Sequence, residues 1–153
     1  RLNEEAALSF AAFEAWEKET DFTPHYIEQV LYSTEFGYAG TADAIATIKV
    51  DGKPVLAVAD WKTSKGIYDE YGLQIAAYAN ALLEMGHAKE MPYGLVARFS
   101  KTASKTPFET RIWTPDELHE NLRVFLCLLQ VWHWQNNIDQ AAKAKKPKKE
   151  KAA

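Results

Sequence analysis

Apolar and polar positions alternate along the chain in a pattern that divides it into eight segments. Over residues 3–19, Leu8, Ala11, Ala12, Ala15 and Trp16 recur at helical spacing, with most of the glutamates elsewhere on the wheel. Thr23-Pro24 breaks that pattern, and residues 26–32 (YIEQVLY) are rich in strand formers. A Phe36-Gly37 turn leads into a second strand over 38–50, where Gly40 marks a bulge or a close backbone approach. Asp51-Gly52, between two apolar runs, is a two-residue hairpin signal. The third strand, 54–61, is apolar on both faces, as expected of a strand in the middle of a sheet.

A second helix is predicted from about 68 to 85. Leu73, Ala76, Ala77, Asn80, Ala81 and Leu83 are its packing positions and Gly86 its C-cap. Two short strands follow, over 93–99 and 108–113, separated by a polar loop. Thr114, Pro115, Asp116 and Glu117 then combine an N-cap, a first-position proline and first-turn acids. Leu118, Leu122, Phe125, Leu129 and Trp132 repeat at steps of four and three, which predicts one buried stripe on a last helix. The expected order is αβββαββα: an α/β protein whose mixed central sheet is flanked by helices, in a single domain over 1–140. Residues 141–153 are expected to be a disordered Lys-rich tail.

Composition narrows the chemistry. Of 153 residues, 47% are hydrophobic, 25% are charged and one is cysteine. That single thiol excludes an internal disulfide framework, a Cys-rich zinc site and a four-cysteine iron–sulfur cluster within the chain. No apolar run approaches the roughly 18 residues of a membrane span. The polar, acidic first residues are unlike a signal peptide, so an intracellular, cytoplasmic protein is expected. The net charge of −3 is unevenly spread. KAKKPKKEK (143–151) carries six lysines and one glutamate, leaving 12 basic and 20 acidic side chains before it. That body cannot bind polyanions by overall charge. It would need local basic groups or metal ions.

Polar groups gather where a core would normally exclude them. Asp43 lies in the second strand, Asp60 and Lys62 end the apolar third strand, and Gln74 and Tyr78 lie four apart on the next helix. Strand residues two apart share a face, so Asp60 and Lys62 project together about 7 Å apart. Helix residues four apart are neighbours, so Gln74 and Tyr78 share a face as well. Pairing outward from the Asp51-Gly52 hairpin brings Asp43 opposite the far end of the third strand, near Asp60. Two carboxylates so placed repel, and one would have its pKa raised unless a cation lay between them. Mg²⁺ takes such oxygen ligands together with water and phosphate oxygens. Lys62 then suits a point charge on a phosphate or a partner of the attacking water. Asp-x-Lys alone equally describes a strand-end salt bridge; only the combination separates the two.

The series IEQVLYS, GYAGTADAI, VADWKTSK and LQIAAYANAL resembles the PD-(D/E)XK nuclease superfamily. It is most similar to the RecB-type branch that includes phage-encoded exonucleases and the mitochondrial genome maintenance exonuclease. The resemblance runs from about residue 27 to 86 and weakly to 134. It implies a restriction-endonuclease-like core and a Mg²⁺- or Mn²⁺-dependent deoxyribonuclease, an exonuclease acting on single-stranded DNA or DNA ends. By the same resemblance Asp43, Asp60, Lys62 and Gln74 are catalytic. Asp43, Asp60, the Trp61 backbone carbonyl and Glu28 are metal ligands by that resemblance, and Tyr78 contacts substrate; Thr63 and Ser64, beside Lys62, read as capping the next turn or reaching a phosphate, and with Lys65 complete the substrate-binding candidates. It further implies a bacterial or phage-infected cell and a DNA recombination or repair protein as partner. The upstream histidine of many RecB-type members has no clear counterpart, and His25 is close to Glu28 but wrongly positioned.

Other signals read more simply. Cys127 lies among leucines and is expected in the core. Trp132 and Trp134 are expected to pack, and His87, His119 and His133 form no ligand pair. Lys65, Arg98, Lys101, Lys105 and Arg111 suggest a basic rim, although each by itself reads as a solvated charge. The rival to an enzyme is a noncatalytic nucleic-acid- or partner-binding subunit that keeps the nuclease fold. A third reading makes the chain the catalytic core of a larger enzyme.

Overall fold

Asn3 accepts the Ala6 N–H through its side chain at 2.8 Å and so starts the first helix, α1 (Glu4–Glu19). The computed structural model describes residues 3–144. After α1 come β1 (Thr23–Ser33), β2 (Tyr38–Val50), β3 (Lys53–Lys62), α2 (Tyr71–Glu84), β4 (Tyr93–Phe99), β5 (Phe108–Trp113) and α3 (Pro115–Ala144). This is the αβββαββα order that the sequence pattern predicts. No described helix is long and apolar enough to cross a membrane.

The strands form one sheet in the order β1-β2-β3-β4-β5, with β3 at its centre. Asp51 and Gly52 both take positive φ (50° and 75°), as a tight hairpin between right-twisted strands requires, and Val50 pairs with Lys53. β3 and β4 are parallel, and α2 provides the crossover between them. The helix ends before Thr23-Pro24, and β1 starts at that dipeptide rather than at Tyr26. Pro24 is tolerated because β1 is an edge, and the register shifts between Pro24 and Tyr26.

α1 covers one face of the sheet. Fully buried Trp16 packs with Phe22, Trp61 and Phe99 at ring-centroid distances of 5.1–6.1 Å, and its indole N–H donates to Thr110 Oγ1. On the other face α2 lies over Ile45, Val58 and Val96, and α3 packs on α2. The residues α2 buries are Gly72, Ile75, Ala76, Ala77, Ala79, Ala81 and Leu82. The expected Leu73, Asn80 and Leu83 are only half-buried. A helix held between a sheet and a second helix buries two sides, so a single periodic stripe misplaces part of its core.

α3 departs further from expectation. Leu118 is fully buried and Leu122, Phe125 and Leu129 are half-buried, but Trp132 and Trp134 are exposed, and so is Cys127. Thirty residues span about 45 Å, far longer than the 14-residue α2 on which the helix rests. Spacing alone does not reveal where that support ends. The helix runs on to Ala144 and takes in the first four residues of the expected tail; 145–153 lie outside the described residues.

Candidate active site

The β2–β3 ladder stops at Ala44 opposite Ala59, and the next step of that register sets Asp43 against Asp60. There the backbone rung is replaced by a side chain: Asp43 Oδ2 accepts the Trp61 N–H at 2.6 Å. Alternation along β3 sends the Trp61 indole into the aromatic cluster under α1. Asp60 and Lys62 share the opposite face with Val58, below α2. Trp61 thus anchors the strand end on one side while the charged residues converge on the other.

Asp60 is 4% exposed. Burial raises its pKa; the Lys62 ammonium opposes that rise and the charge of Asp43 adds to it. Lys62 Nζ lies 2.5 Å from Asp60 Oδ2 in a buried ion pair. The same ammonium donates to Gln74 Oε1 at 2.9 Å and stands over the Tyr71 ring, 4.9 Å from its centroid. Gln74 Nε2 in turn donates to Tyr78 Oη at 2.9 Å. One face of α2 therefore orients the amine that β3 supplies. Tyr78 fits because residue 40 is glycine: a Cβ there would lie 2.6 Å from Tyr78 Cε1.

The remaining sequence candidates divide. Thr63, Ser64 and Lys65 leave the end of β3 and line a groove of about 600 Å³ together with residues of the β4–β5 loop. Ser64 Oγ donates to Gly66 O at 2.8 Å, which tightens the loop. Glu28 is exposed, has a positive φ of 51° and, by the register on either side of it (Ile27 with Ala44, Gln29 with Ala42), stands across from Asp43 on the edge strand. Among the described residues no cluster of three or more acid, histidine or cysteine side chains is placed to hold a metal.

Two residues escaped the sequence reading. Tyr71 was not singled out, and Arg98 stood only as a solvated member of the rim. Arg98 is 7% exposed, level with Lys62 on the neighbouring strand, and its Nε donates to Glu109 at 2.9 Å. A lone charge inside the apolar run YGLVARF was the available signal. Of the other rim residues, Lys101 lines the groove, while Arg111 pairs with Asp69 and lies over Trp113.

Two facing carboxylates, one of them buried, are oxygen donors of the kind a hard divalent cation takes. With one ammonium beside them they leave a net negative charge for such an ion to offset. Compared with known proteins, the chain matches no family model and no curated protein.

Proposed function

We propose that the chain is a metal-dependent DNA nuclease, an exonuclease of the RecB-type branch of the PD-(D/E)XK superfamily on a restriction-endonuclease-like core. The observation that carries this reading is the meeting of Asp43 and Asp60 across two strands, with Lys62 held beside them by Gln74. Asp43, Asp60 and the Trp61 carbonyl would hold Mg²⁺ or Mn²⁺, and Glu28, across the β1–β2 register from Asp43, is the further candidate ligand. The ion, when bound, supplies a water of lowered pKa and polarises the phosphodiester. Lys62 presents its ammonium to the scissile phosphate, and Gln74 and Tyr71 fix its position. Tyr78, Thr63, Ser64 and Lys65 contact the strand. A cytoplasmic setting and a recombination or repair partner belong to the same reading.

The 2.5 Å Lys62–Asp60 ion pair favours a second reading, in which the cluster is a structural salt bridge in a noncatalytic DNA- or partner-binding subunit. One experiment separates them. The purified protein is incubated with single-stranded, double-stranded and flapped DNA in Mg²⁺ or Mn²⁺, alongside Asp60→Ala and Lys62→Ala. The nuclease reading expects metal-dependent degradation that falls by at least about a hundredfold in either variant, while circular dichroism stays native. A folded wild type inert on all three substrates in both metals removes it.

A further inference from the structure

The groove beside the site holds a buried arginine that the nuclease reading does not use. Arg98 is more than nine-tenths buried, yet it lines this groove. Its Nε is taken by Glu109, but neither terminal guanidinium nitrogen has a hydrogen-bond partner among the described residues. Nor are those nitrogens sealed from solvent: neither is among the fully buried side-chain polar atoms of the described residues that lack a hydrogen bond. The arginine is therefore locked at one edge and presents its other donors to the groove. Lys62 lies level with it on the adjacent parallel strand, on the same face of the sheet. Each already has one carboxylate partner, Asp60 for Lys62 and Glu109 for Arg98, so it is the unpaired terminal guanidinium donors that are open to an incoming anion.

The walls agree. Lys65 from the β3–α2 loop and Lys101 from the β4–β5 loop line the groove, with Ser64, Ser100, Thr102 and Thr106. Against three cations stands the single carboxylate of Glu109, in a body whose first 142 residues are strongly acidic. Hydroxyls and a fork of fixed guanidinium donors are suited to phosphate oxygens.

The geometry points to this groove as the path of the nucleic-acid backbone, with Arg98 binding a phosphate next to the one at Lys62. This rests on the nuclease reading for the direction of the strand, but the binding it predicts is measurable without catalysis. Fluorescence anisotropy with a short labelled single-stranded oligodeoxynucleotide, in an Asp60→Asn background to prevent cutting, measures the affinity across a salt series. Arg98→Gln is expected to weaken binding about tenfold and to flatten the salt dependence by about 0.7 in log–log slope. Arg98→Lys restores part of the affinity. Lys65→Ala with Lys101→Ala, both on the surface, weakens binding in the same way and stands even if Arg98→Gln misfolds. Lys53→Ala, at the hairpin on the opposite end of β3, is the charge-matched control and leaves binding unchanged.

Unaltered affinity in the lysine pair and in a folded Arg98→Gln overturns the proposal. So does an equal loss in Lys53→Ala, or no measurable binding by the parent at low salt. If the wild type cuts DNA while the groove variants bind normally, the groove falls and the nuclease stands. If the wild type cuts nothing yet binds DNA through Arg98, the nuclease falls and the groove stands.

Discussion

Asp60 shows at the scale of one residue how a buried charge opposes stability. Its carboxylate is buried beside the Lys62 ammonium, and burial raises its pKa above the ordinary 3.8. A group whose folded pKa lies above its unfolded value contributes stability that is present below the unfolded pKa and lost as pH rises through the folded one. Asp60→Asn removes this titration. Relative to wild type, and without metal, the variant should therefore gain stability as pH is raised from about 4 to 7. Chemical denaturation at several pH values measures the difference, and a flat difference across that range refutes the assignment. Asp60 and Lys62 were legible as a pair because strand alternation is local. Arg98 was not, because the parallel β3–β4 register that sets it beside Lys62 depends on how the α2 crossover docks.

Elements meet at points where small residues make room. Gly40 on β2 admits the Tyr78 ring from α2, so the hydrogen bond from Gln74 to Tyr78 depends on a missing side chain two elements away. Gly40→Ala should destabilise the fold by about 1–3 kcal/mol, the usual cost of overpacking a close contact. Shortening Tyr78 to Ala should cancel much of that cost, so a double-mutant cycle should return a coupling above about 0.5 kcal/mol. Additive effects would mean that the ring moves aside freely. Gly40 was recognised from the sequence as a bulge or a close approach, and the Tyr78 contact decides for the second. The last helix teaches the opposite lesson. Its repeat of four and three continues through Trp132, but burial fades after Leu118 because α2 is too short to support the whole stripe.

For the molecule as a whole, metal binding and folding should be linked. A cation held by Asp43 and Asp60 binds only the folded chain, whose strands bring those acids together. At about a hundred times its dissociation constant, Mn²⁺ should add about 2.7 kcal/mol to the stability of the wild type. Thermal unfolding in EDTA and in Mn²⁺ should show that gain in the wild type and not in Asp60→Asn; equal shifts in both place the ion elsewhere. The eight elements, the hairpin and the facing of Asp43 and Asp60 were determined by sequence alone, because helical periodicity, strand alternation and a two-residue turn act over a few neighbours. Tertiary structure decided that Arg98 is buried level with Lys62 and that Trp132 and Cys127 are exposed. Each depends on which surfaces remote segments cover, and a linear pattern carries no measure of that coverage.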